Sequence, residues 1–80
     1  MFKVYGTASC KYCHEALSLI EKLDASYEYY DIKAPANKEH FDFIVSQGFT
    51  TVPQIYFNDQ YVGGYEELYE AIRKREFDDA

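Results

Sequence analysis

The sequence predicts an α/β fold in the order β-α-β-α-β-β-α. Three observations carry this. Short runs rich in aromatic and β-branched residues stop at glycine, proline or turn residues, as strands do. Between them, apolar residues recur three and four positions apart, the spacing of one helix face. One such helix joins the first two strands and makes them parallel, whereas two residues of turn chemistry join the last two into an antiparallel hairpin.

The first strand is 2–5, where Phe2, Val4 and Tyr5 flank Lys3 and Gly6 ends the run. The helix over 10–24 places Cys13, Ala16, Leu17, Ile20 and Leu23 on one side and Glu15, Ser18, Glu21 and Lys22 on the other, with Ser9 as the expected N-cap. A second strand covers 27–32. After Pro35, Asn37 is the expected cap of a second helix whose inner face is Phe41, Ile44 and Val45 and which Gly48 stops. Pro53 opens a third strand over 54–57, and Asn58 and Asp59 turn it into a fourth at 61–62. Gly63 and Gly64 end the strand, and the last helix, 65–75, carries Tyr65, Leu68, Tyr69 and Ile72 inward. Its first turn holds Glu66 and Glu67 and its last Arg73, Lys74 and Arg75, both complementing the helix dipole. The tail, 76–80, is expected to fray.

A chain of 80 residues with no repeat or linker is read as a single domain, 1–80. Its 48% hydrophobic content, including nine Tyr and six Phe, is that of a packed domain. A net charge of −6 argues against nucleic acid or an anionic membrane as partner, because both are bound by cations. No apolar run reaches the roughly 20 residues of a membrane span. The first ten residues lack the apolar stretch of an export signal, so a cytoplasmic location is expected. In that reducing compartment two close cysteines point to chemistry rather than to a permanent crosslink.

Those cysteines stand in Ser-Cys-Lys-Tyr-Cys-His, 9–14, which fits both a c-type haem attachment and a thiol–disulfide oxidoreductase. Read as two small core residues, they would need no function, but a pair straddling a strand-to-helix junction favours redox use. At the start of the helix Cys10 meets unpaired N–H groups, the positive end of the dipole and Lys11, and is expected to be largely thiolate at neutral pH. Cys13, on the apolar stripe, is expected to be buried and protonated. Cys10 is therefore the expected nucleophile and Cys13 the resolving thiol.

Together the segments Val-Tyr-Gly-Thr-Ala-Ser-Cys-Lys-Tyr-Cys, 4–13, and Thr-Thr-Val-Pro-Gln-Ile-Tyr-Phe-Asn-Asp-Gln-Tyr-Val-Gly-Gly-Tyr-Glu-Glu-Leu, 50–68, resemble the glutaredoxins over nearly the whole chain. The resemblance implies a thioredoxin-like fold, with a four-stranded mixed sheet flanked by three helices, and a cis peptide bond before Pro53. It implies a dithiol enzyme that reduces protein disulfides and glutathione mixed disulfides, with glutathione as reductant and no metal required. By resemblance the glutathione site comprises Lys11, Tyr12, Thr51, Val52, Pro53, Gly64, Tyr65, Glu66 and Glu67. In it the Val52 backbone holds the cysteinyl part. The N–H groups of Glu66 and Glu67 hold the glutamyl carboxylate, with the Glu67 side chain toward its amino group. A monomer is expected, with disulfide-containing client proteins, ribonucleotide reductase among the candidates.

Two departures from the family stand out. Lys11 replaces the usual proline between the cysteines, trading ring stiffness for a positive charge. Phe49 and Thr50 stand where a basic residue commonly meets glutathione's glycyl carboxylate, leaving Lys38 and Gln47 as substitutes. Rival readings are weaker. A haem needs a second axial ligand, the only Met is Met1, and a haem leaves Thr-Val-Pro unexplained although His40 is available. A metal or iron–sulfur binding module would draw on Cys10, Cys13, His14 and His40 but lacks the second close pair of a structural zinc site. A thioredoxin-like donor to one client, recycled by a flavoprotein reductase, usually carries Trp beside its first Cys, and this chain has none.

Overall fold

The computed structural model describes residues 1–77. Its elements are β1 (Phe2–Gly6), α1 (Lys11–Lys22), β2 (Tyr27–Asp31), a short 3₁₀ turn (Pro35–Asn37), α2 (Lys38–Ser46), β3 (Gln54–Phe57), β4 (Gln60–Gly63) and α3 (Tyr65–Arg73). The sheet order is β2-β1-β3-β4. β1 runs parallel to β2, while β3 is antiparallel to both β1 and β4. The mixed four-stranded sheet and its three helices are those the sequence predicts. Asn58 and Asp59 turn the hairpin with φ of 49° and 68°, the positive values that a tight two-residue loop requires and that these two residue types tolerate.

Alternation along the strands gives the sheet two unlike faces. Phe2, Val4 and Ile55 point to one face and are fully buried with Ala16 and Ile20 of α1 and Leu68 of α3. Helices α1 and α3 also pack on each other there, closing the core. The inner stripe of α3 differs from the predicted one: Tyr69 is exposed and Ala71 is buried in its stead.

Tyr5, Tyr30 and Tyr56 line the other face, and α2 alone covers it. His40 stacks on Tyr30 with ring centroids 3.7 Å apart, and Phe43 lies 5.5 Å from Tyr5 and 5.7 Å from Tyr56. These contacts rotate the helix away from its predicted orientation. Ile44 is its one buried residue; His40 and Phe43 meet the tyrosines, Phe43 keeping 37% exposure, whereas Phe41 and Val45 are more exposed still. Asn37 occupies the N-cap position of α2 without capping it, because its Nδ2 donates instead to the Asp31 carbonyl at 3.0 Å.

The predicted frayed tail is also corrected over its described part. Phe77 packs edge-on to Phe2 at 5.0 Å and against Phe57 at 4.9 Å, sealing the open end of the core; 78–80 lie outside the described residues. Three interlocked rings contribute both buried area and aromatic contact energy. Phe77→Ala is expected to lower stability by about 1–3 kcal/mol, read as a lower urea midpoint at unchanged slope.

Candidate active site

Both cysteines sit where β1 hands over to α1. Since α1 begins at Lys11, Cys10 and not Ser9 is the N-cap: its extended backbone turns its Sγ back to accept the Cys13 N–H at 3.1 Å. A sulfur thus does the work for which a hydroxyl was expected. Cys10 is partly exposed, and both cysteines are free thiols.

One turn on, Cys13 is fully buried. Gly6 makes the room: a Cβ at that position would lie 2.6 Å from Cys13 Sγ and 3.2 Å from the Tyr29 ring. Burial is the largest cause that pushes the Cys13 thiol up to about 12, followed by its hydrogen bond to Cys10, while the Thr7 backbone pulls the other way. Burial likewise raises the neighbouring Tyr29 to about 12, with Cys13 the next cause, and the Tyr29 hydroxyl is buried without a hydrogen-bond partner among the described residues.

Opposite the cysteines runs the turn before β3, where the Val52–Pro53 peptide bond is cis. The Cys10 thiol donates to the Val52 carbonyl at 3.8 Å, so this sulfur and the turn touch directly. Gln54, only 5% exposed, holds this turn from behind. Its Nε2 donates to Thr51 O at 2.9 Å and to Thr51 Oγ1 at 3.3 Å, and its Oε1 accepts from the Tyr61 hydroxyl at 2.6 Å. Phe49 stacks on Tyr61 at 4.9 Å, bracketing the turn between β3 and β4.

A groove of about 320 Å³ opens along the turn. It gathers Tyr12, Thr51, Val52, Pro53, Gly64, Tyr65, Glu66 and Glu67 from three separate stretches of chain. Tyr12 and Tyr65 face each other across it at 5.6 Å. Gly63 has φ of 132°, and a Cβ there would meet the Glu67 side chain at 2.6 Å. That close approach lets Glu67 Oε1 accept the Gly64 N–H at 2.7 Å and cap α3. The Glu67 carboxylate, expected to face a ligand's amino group, is thus engaged at the start of its own helix.

Lys11 does not line the groove: it is exposed on the first turn of α1. Lys38 and Gln47 do not reach it either, and Lys38 pairs instead with Asp42 at 2.9 Å. Conversely Gln54 and Tyr61 line the groove and were missed. A polar residue at a strand position bound for burial was the signal for Gln54. Nothing local marked Tyr61, whose partner lies across the hairpin. The histidines part company with the cysteines. His14 bonds the Ala8 carbonyl at 2.7 Å, and His40 is stacked on the far face of the sheet.

The fold is the thioredoxin-like one, and the chemistry its groove offers is exchange between thiols and disulfides. Comparison with known proteins narrows the class. The glutaredoxin family model matches residues 2–62. Glutaredoxin 3 of Escherichia coli K12 is 36% identical over 67 residues, covering 84% of this chain and 80% of that protein. Glutaredoxin 1 of Rickettsia prowazekii is 34% identical over 76 residues, covering 94% and 80%. Among solved structures, Francisella tularensis glutaredoxin 1 complexed with cacodylate superposes with a TM-score of 0.74 at 28% identity, covering 92% of this chain and 93% of that one. A buckwheat glutaredoxin–glutathione complex gives 0.78 at 21% identity, covering 92% and 69%. The chain belongs to the glutaredoxin family, whose members are thiol–disulfide oxidoreductases.

Three outcomes follow from the seat of Cys13. In the native reduced protein at pH 8, iodoacetamide is expected to label Cys10 alone, and Cys13 only after unfolding, as read by peptide mass mapping. The folded Cys13 keeps its proton from the ordinary thiol value of 9.0 up to about 12, while the unfolded chain loses it. Its contribution to stability therefore falls as pH rises through that window, and Cys13→Ala is expected to flatten that part of the stability profile. Gly6→Ala forces a methyl onto the Cys13 sulfur and is expected to cost about 1–3 kcal/mol in denaturant unfolding.

Proposed function

We propose that this chain is a dithiol glutaredoxin in which Cys10 attacks and Cys13 resolves. The observation that carries the reading is the unlike setting of the two sulfurs. One is partly exposed at a helix start and in contact with the Val52 carbonyl; the other is buried a turn below it. As a thiolate, Cys10 attacks one sulfur of a client disulfide, forming a mixed disulfide and expelling the other client sulfur as thiolate. Cys13 then gives up its proton, which the expelled thiolate takes, and attacks the Cys10 sulfur. The Cys10–client bond breaks, an internal Cys10–Cys13 disulfide forms, and the client has gained two electrons. Two glutathione molecules return the enzyme to the dithiol and leave as glutathione disulfide.

Glutathione fits the groove in a definite sense. Its cysteinyl backbone pairs with Val52, which lies outside the sheet ladder. Its glutamyl carboxylate meets the N–H groups of Glu66 and Glu67, in the first turn of α3 where backbone donors have no helical partner. Tyr12 and Tyr65 wall the intervening stretch. The buckwheat relative's complex with glutathione supports this assignment. The reading includes a single monomeric domain over 1–80, a cytoplasmic setting, no required metal, and disulfide-bearing clients such as ribonucleotide reductase. No helix among the described residues is long and apolar enough to cross a membrane.

Cysteine variants test the division of roles. Cys13→Ser is expected to go on reducing a glutathione mixed disulfide while losing turnover on an intramolecular protein disulfide, and Cys10→Ser to lose both. Equal loss in the two variants on the small substrate would overturn the assignment, and faster recycling by thioredoxin reductase than by glutathione would favour the single-client donor.

A further inference from the structure

Among the described residues one buried side-chain polar atom has no hydrogen-bond partner, the hydroxyl of Tyr29. Tyr29 pairs with Val4 in the register of β1 and β2, yet its ring leans along the sheet to Gly6, toward the cysteines. There it shares with Cys13 the space that Gly6 leaves by lacking a side chain. A Cβ at Gly6 would stand 2.6 Å from Cys13 Sγ and 3.2 Å from Tyr29 Cε2, the ring carbon next to the one that bears the hydroxyl. A donor held out of water with nothing to donate to destabilises the resting protein, so its place beside a reacting sulfur calls for a reason.

We propose that the Tyr29 hydroxyl serves the resolving step, donating a hydrogen bond to the Cys13 sulfur while that sulfur is charged and attacking Cys10. The inference rests on the dithiol reading. In the reduced protein Cys13 is a neutral thiol, a weak acceptor, and the hydroxyl gains little from it. Once Cys13 has passed its proton to the expelled client thiolate, a negative charge sits in a buried seat. The Thr7 backbone favours that charge, whereas Cys10 and Asp31, which face both Cys13 and Tyr29, oppose it. With Cys10 held in the mixed disulfide, Asp31 remains. An O–H that bonds the charged sulfur and not the neutral one stabilises the attacking state selectively, and so speeds the step. Tyr29 keeps its own proton throughout, since burial pushes it up to about 12. When the Cys10–Cys13 bond closes, the charge departs on the client thiolate and the hydroxyl is again unpartnered.

Dithiobis(nitrobenzoate) separates the two steps, because its coloured thiolate is released once when Cys10 attacks and once when Cys13 resolves. One equivalent is mixed with the reduced protein in a stopped-flow absorbance experiment. Tyr29→Phe removes the hydroxyl and leaves the ring. Its first release is expected at the parent rate and its second about tenfold slower, the loss of one bond to a charged group. The rise of the second rate with pH is expected to move to higher pH, because a donor to the charged form favours ionisation. The urea midpoint of the variant is expected at or above that of the parent, since a buried orphan has been removed. Equal second rates in parent and variant would overturn the proposal. So would equal slowing of both releases or a lower urea midpoint, either of which marks a hydroxyl that supports the resting fold. A parent protein that gives only the first release would instead defeat the dithiol reading.

Discussion

The seating of Cys13 against Gly6 is the constraint on which the site depends. A thiol fills the space that any side chain at position 6 would claim, at the end of the strand next to the centre of the sheet. That fit fixes the first turn of α1 against β1. It thereby sets where Cys10 stands as N-cap, and so its contact with the Val52 carbonyl. Burial pushes the second sulfur up to about 12, so it stays protonated through the range in which an ordinary thiol ionises.

Much of this was legible in the sequence because it is written in local backbone chemistry. Cys-x-x-Cys at a strand-to-helix junction, proline at the start of a strand and paired glycines before an acidic helix start each restrict a few consecutive residues. Tyr12, the Thr51–Val52–Pro53 turn and the α3 start accordingly line one groove, and Cys10 touches that turn at the Val52 carbonyl. Lys11 was misplaced because a helix's first turn sends successive side chains in different directions, and adjacency to Cys10 does not bring its ammonium into the groove.

What stayed hidden was tertiary. The cap at Cys10 depends on where α1 begins, and a boundary shift of one residue transfers the role from a hydroxyl to a sulfur. The orientation of α2 follows from rings on other elements: Tyr5, Tyr30 and Tyr56 draw in His40 and Phe43 and turn Phe41 and Val45 outward. These contacts also account for three of the nine tyrosines. A face covered by one short helix suits side chains with an apolar body and a hydroxyl that can reach water. Gln54 and Tyr61 form their pair only once the hairpin has closed.

The unlike covering of the two sheet faces has an evolutionary consequence. Two helices lock the face bearing the reactive sulfurs, where a single added methyl collides with Cys13, so drift there is stopped almost at once. The opposite wall tolerates exchange of one outward residue for another, because little else leans on it. Lineages descending from such a scaffold can vary that outer wall while inheriting the same seat for the two sulfurs.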